Sequence, residues 1–85
     1  MQEALSNRSA CHAARKDWEQ AEADAAECVR VAPAFARGWS RLLTAQLGAG
    51  RPPSVVEETV ATAEERGSDV AAAVRSVLKK HQEKG

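Results

Sequence analysis

Residues 17–33 read DWEQAEADAAECVRVAP, and this alanine-rich stretch carries no glycine or proline until its last position. Alanine is the strongest helix former because it loses no side-chain entropy in a helix. Asp17 is a residue type that accepts hydrogen bonds from the open amides of a first turn, with Gln20 spaced to reach back in a capping box. Pro33 pushes the residue before it out of the α region. The stretch predicts a helix over Trp18–Val31, capped by Asp17 and followed by a tight turn.

Working outward, the same signals recur on both sides. Upstream, a helix over Glu3–Ala14 stops at the polar Arg15-Lys16-Asp17. Downstream, a third helix from Ala34 reaches Leu47, where Gly48-Ala49-Gly50 reads as a stop. After Pro52-Pro53, Ser54 with Glu57 forms a second capping box and opens a fourth helix that continues to Glu65 and ends at Gly67. Ser68 or Asp69 caps a fifth helix, in which Val70, Val74, Val77, Leu78 and His81 form one stripe at helical spacing.

Composition agrees. The chain has 85 residues and eighteen alanines, with only Trp18, Phe35 and Trp39 as aromatics, too few to face a sheet. The fold class is all-α. Twelve basic and twelve acidic side chains leave a formal charge of zero, so no overall field draws the chain to nucleic acid or an anionic membrane. No window approaches the roughly 18 apolar residues of a membrane span. These features describe a soluble, cytoplasmic chain, in which Cys11 and Cys28 are reduced thiols rather than a disulfide.

The helices come in pairs, and the pairs repeat. Leu5 and Trp39 lie 34 residues apart, as do Asn7 and Arg41, and Ala21 and Val55. That is the tetratricopeptide period. Here the sequence resembles that family: Ala21 and Cys28 fall where its second helix carries small residues, Pro33 on its terminal proline, and Trp18 on an aromatic position. The resemblance implies antiparallel helix pairs stacked as a solenoid, within one domain over residues 1–85: a first repeat over residues 2–33, a second over 34–67, and a capping helix over 68–82. Ser9 replaces the glycine of the first helix, Lys16 the turn glycine, and Pro52-Pro53 an aromatic, so the second repeat is expected to have a distorted turn.

In such a solenoid the first helix of each pair lines the concave surface. Arg37 and Arg41 lie one turn apart on one face, where like charges repel unless an anion sits beside them. Asn7 precedes Arg41 by one period, and its amide both donates and accepts. Leu5-Ser6-Asn7-Arg8-Ser9-Ala10, followed by Arg37-Gly38-Trp39-Ser40-Arg41, resembles the tetratricopeptide domains of co-chaperones that hold a dicarboxylate clamp. The resemblance implies that Asn7, Arg37 and Arg41 bind a peptide, the EEVD-type C-terminal tail of a heat-shock chaperone of the seventy- or ninety-kilodalton class. In that family a preceding repeat supplies a lysine and an asparagine that this chain does not contain, so the clamp is expected to be partial.

The competing reading is a structural module without a tail site, in which the first helix, around Leu5, Ala4, Ala10 and Cys11, pairs with a second copy to make a homo-oligomer. Solitary surface arginines contribute under about 1 kcal/mol, which is the ordinary fate of such groups. Trp18 and Trp39 read as packing aromatics, His12 as a packed histidine, His81 as a surface residue, and Lys79, Lys80 and Lys84 as favourable charge at a helix C-terminus. No nucleophile, base and orienting group share a motif, and no short cysteine or histidine chelate occurs. The reading is therefore non-enzymatic, with no metal and no cofactor.

Overall fold

The first chain reversal is built on a residue that rarely takes its shape. Lys16 has φ +65°, and the Asp17 amide donates back to the His12 carbonyl at 2.8 Å. Thirty-four residues on, Gly50 has φ +74°, and the Arg51 amide donates to the Gln46 carbonyl at 3.0 Å. Both are the six-to-one bond that closes a helix through a left-handed residue. The two turns are the same device, made once with lysine and once with glycine.

These turns organise a computed structural model that describes residues 1–84; Gly85 and the side chain of Lys84, one of the expected C-terminal charges, lie outside the described residues. Five helices follow in order: α1 (Gln2–Ala14), α2 (Trp18–Val31), α3 (Ala36–Ala49), α4 (Pro53–Glu64) and α5 (Ser68–Lys84). The odd helices lie side by side, α3 touching both α1 and α5. In the second layer α2 packs on α1 and α3, and α4 on α3 and α5. The shortest extent of the molecule, 19 Å, is about two helix diameters of ~10 Å. This is the helix-pair architecture, with a fifth helix closing the end.

Several local expectations are corrected. Asp17 stands at the start of α2, but its side chain makes no capping bond. α4 starts two residues early, with Pro52 before it and Pro53 as its first residue, which puts Ser54 inside the helix. Proline suits the first helical position, because it has no amide hydrogen to leave unpaired and its fixed φ is already helical. Ser68 likewise is the first residue of α5 rather than its cap. α3 begins at Ala36, since Pro33 and Ala34 are spent in a turn closed by the Phe35 amide on the Ala32 carbonyl. It also runs through Gly48: a Cβ there would lie 2.5 Å from the Trp18 ring. Gly48 is a packing glycine, and Gly50 is the stop.

The expected irregularity of the second repeat is an insertion. After the shared turn, α4 begins one residue later than α2 did, the extra residue being Pro52. Cys28 and Ala63 are fully buried counterparts on this shifted phase, as are the buried Asp24 and Thr59. Ala21 therefore corresponds to Val56, which packs on the core, rather than to Val55.

The core joins Ala25 of α2, Trp39, Leu42 and Leu43 of α3, Ala63 of α4, and Val70 and Val74 of α5. Of the stripe expected on α5, Val70 and Val74 are in the core and Val77 and Leu78 are partly buried against it, while His81 at its end is exposed. Trp39 Nε1–H donates to the Pro33 carbonyl at 2.8 Å, pinning α3 to the turn before it. Gly38 permits close contact with α2, because a Cβ would meet the Cys28 sulfur at 2.8 Å. Burial pushes the Cys28 thiol above its ordinary range; Cys28 and the exposed Cys11 are both free thiols.

Candidate peptide-binding site

α3 presents one face to the molecule and one to solvent. Gly38, Trp39, Leu42, Leu43, Ala45 and Gln46 are buried, leaving Arg37, Ser40, Arg41 and Thr44 on the outward side. α1 is fixed beside it by polar ties to α2. Ser9 Oγ–H donates to the Ala21 carbonyl at 2.8 Å, and the Arg8 guanidinium donates to both carboxylate oxygens of Asp24, at 3.0 and 2.8 Å. That bidentate contact holds the Asp24 carboxyl below the usual carboxylate range against the opposing effect of burial. Asn7 is exposed on α1, at the register position that Arg41 holds on α3.

The three residues singled out from the sequence have different surroundings. Arg37 is exposed, with its guanidinium carbon 5.8 Å from the Phe35 ring centroid, within cation–π range. Arg41 is half-buried; its Nε is sealed from solvent and makes no hydrogen bond. It lines a groove of about 360 Å³ between α3 and α5, shared with Ser40, Thr44, Lys80 and His81, over Trp18, Leu47 and Val77. Asn7 and Arg37 do not line this groove.

Its polarity is one-sided. Arg41, Lys80 and His81 contribute positive or hydrogen-donating groups, and among the described residues no carboxylate lines the groove. The Thr44 hydroxyl hydrogen is committed to the Ser40 carbonyl at 2.8 Å. Among the described residues the ion pairs use Arg8, His12, Arg30, Arg51 and Arg75, and none engages Arg37, Arg41 or Lys80. A larger hollow of about 470 Å³ beside Trp18 sets Lys16 and Arg51 against Asp17 and Glu19, so it selects neither sign of charge.

Lys80 and His81, which the sequence reading places at a helix C-terminus and on the surface, are exposed and both line this groove. His81 belongs to the stripe read from the sequence, and Lys80, three residues after Val77, shares that face. No helix among the described residues is long and apolar enough to cross a membrane, and no group of three or more His, Cys, Asp or Glu among them is placed to hold a metal ion.

Known proteins with similar sequences supply independent information. Over 45 residues, 53% of the chain, it is 49% identical to the heat shock protein sti1 homolog of Schizosaccharomyces pombe. Over a stretch of the same length it is 47% identical to heat shock protein STI1 of Saccharomyces cerevisiae. Over 51 residues, 60% of the chain, it is 37% identical to the small glutamine-rich tetratricopeptide repeat-containing protein 2 of Saccharomyces cerevisiae. The matches span 8% of each of the first two proteins and 15% of the third. No protein-family model and no solved structure matches the chain.

Proposed function

We propose that this tetratricopeptide-type repeat domain, resembling those of co-chaperones, is a protein-interaction module that docks the acidic, EEVD-type C-terminal tail of a heat-shock chaperone of the seventy- or ninety-kilodalton class. On this reading residues 2–33 and 34–67 are its two repeats, and residues 68–82 cap them. The observation that carries it is the outward face of α3. Arg37 and Arg41 stand there a turn apart with no carboxylate partner among the described residues, and Asn7 is in register on α1. Two unneutralised guanidiniums on one helix face repel, and an incoming carboxylate relieves that repulsion while accepting charge-assisted hydrogen bonds.

The names of the matched relatives agree with a heat-shock setting. The role is binding, not turnover. Calorimetric titration with an EEVD-ending peptide tests it, compared with the same peptide amidated at its C-terminus. We expect the amide to bind more weakly, because it removes one anionic group and nothing else. Arg41→Ala should weaken binding of the free peptide by about 1.5–3 kcal/mol, the range for losing a charge-assisted hydrogen bond. Equal affinity of parent and variant for the free peptide would remove Arg41 from the site.

A further inference from the structure

The tail-binding reading places its residues on α1 and α3, yet the groove that Arg41 lines opens towards α5. Its other wall carries Lys80 and His81, and its floor is apolar, with Leu47 and Val77 beside the half-buried Trp18. At about 360 Å³ the groove falls within the roughly 300–1,000 Å³ of small-ligand clefts. Arg41 is preorganised in it: with its Nε sealed between neighbouring groups, the side chain has less freedom to lose on binding than a fully solvated arginine. Lys80 comes from a different helix, so α3 and α5 each bring a cation to one cleft, and among the described residues no carboxylate lines it. The half-buried Arg41 and the exposed Lys80, with the Ser40 hydroxyl beside them, are complementary to a carboxylate.

We propose that the cleft between α3 and α5 receives the terminal carboxylate of the acidic peptide, with Lys80 and His81 of α5 acting together with Arg41. The inference rests on the tail-binding reading and adds α5 to the site. It gives the fifth helix a direct part in recognition, besides covering the core with Val70 and Val74. Trp18, one wall of the cleft, is then the natural reporter of occupancy.

The test is a titration of the full chain, by calorimetry and by tryptophan fluorescence, with an EEVD-ending peptide carrying either a free or an amidated C-terminus. Four proteins are compared: the parent, the double variant Lys80→Ala with His81→Ala, Arg37→Ala, and Asn7→Ala. Lys80 and His81 are exposed, so the double variant should keep the parent's melting temperature. It should bind the free-carboxylate peptide roughly tenfold more weakly, the equivalent of one lost charge-assisted hydrogen bond, and bind the amidated peptide as the parent does. If it binds both peptides as tightly as the parent while Arg37→Ala or Asn7→Ala weakens binding, α5 has no part in the site and the tail-binding reading survives. Equal weakening towards both peptides would also overturn the proposal, since Lys80 and His81 would then meet the acidic side chains. A parent that does not distinguish free from amidated peptide would sink the tail-binding reading and this inference together.

Discussion

At the scale of single residues, Lys16 and Gly50 form a natural experiment. They occupy the same left-handed position one period apart, and both are followed by the same closing hydrogen bond. A side chain with a Cβ costs about 1 kcal/mol or more at such a position, because the Cβ approaches the neighbouring carbonyl. Glycine avoids that cost and gives back part of the gain through a freer unfolded chain. We expect Lys16→Gly to stabilise the fold by about 0.5–1 kcal/mol and to raise Tm by a few degrees, at roughly 4–8 °C per kcal/mol for a chain this small. Gly50→Lys should lower it. Thermal denaturation followed by circular dichroism reads both, and a drop in Tm for Lys16→Gly would show that the lysine is held by interactions outside its backbone.

At the scale of elements, α1 is the helix least able to hold itself in place. Its fully buried positions are Ser6 and Ser9, which bring little apolar area, and Ser6 Oγ has no partner. The Arg8–Asp24 contact therefore matters for docking α1 on α2. Because the folded-state pKa of Asp24 is depressed, its contribution is fully present above the unfolded carboxylate value of about 4 and is lost as pH falls through the folded value. We expect the urea midpoint of the parent to fall between pH 5 and pH 2, and that of Asp24→Asn to start lower at pH 5 and fall less. The difference between the two curves isolates Asp24 from the other carboxylates. Parallel curves would mean that the contact adds nothing to the docking of α1.

For the whole molecule, the question raised by the sequence was whether α1 offers an apolar face to a second copy. Leu5 is half-buried, and among the described residues the exposed large hydrophobics are Met1, 85% exposed, and Val31, 36% exposed. They sit at the start of α1 and the end of α2, and Glu3 and Asn7 of α1 are exposed polar residues. A stable dimer needs about 1,200–2,000 Å² of buried area with an apolar centre, and scattered single residues do not supply one. We expect the chain to sediment as a monomer and to melt at a temperature independent of concentration. A midpoint that rises with protein concentration would restore the paired-copy reading.

By itself the sequence determined the five helices, their pairing, and the 34-residue relation of α1 to α3, because these follow from signals that act over a few residues. Alanine favours helix wherever it stands, Pro33 disfavours a helical neighbour by sterics alone, and the stripe on α5 is visible in spacing. Asn7 and Arg41 stand out in the sequence as positions one period apart, and Arg37 by its spacing of four from Arg41; their part in binding is the proposal made above. The outcomes that turn on contact between distant segments were decided by the tertiary structure. Gly48 and Gly50 are equal as helix breakers; it is the Trp18 ring, thirty residues away in the chain, that makes one a packing site and leaves the other as the stop. The single inserted Pro52 shifts the phase of α4, which shows only in which of its residues are covered. Arg41, Lys80 and His81 share a cleft because the apolar stripe of α5 docks on α3 in one register, and a register between helices is chosen by how their side chains pack, a quantity that neither helix carries alone.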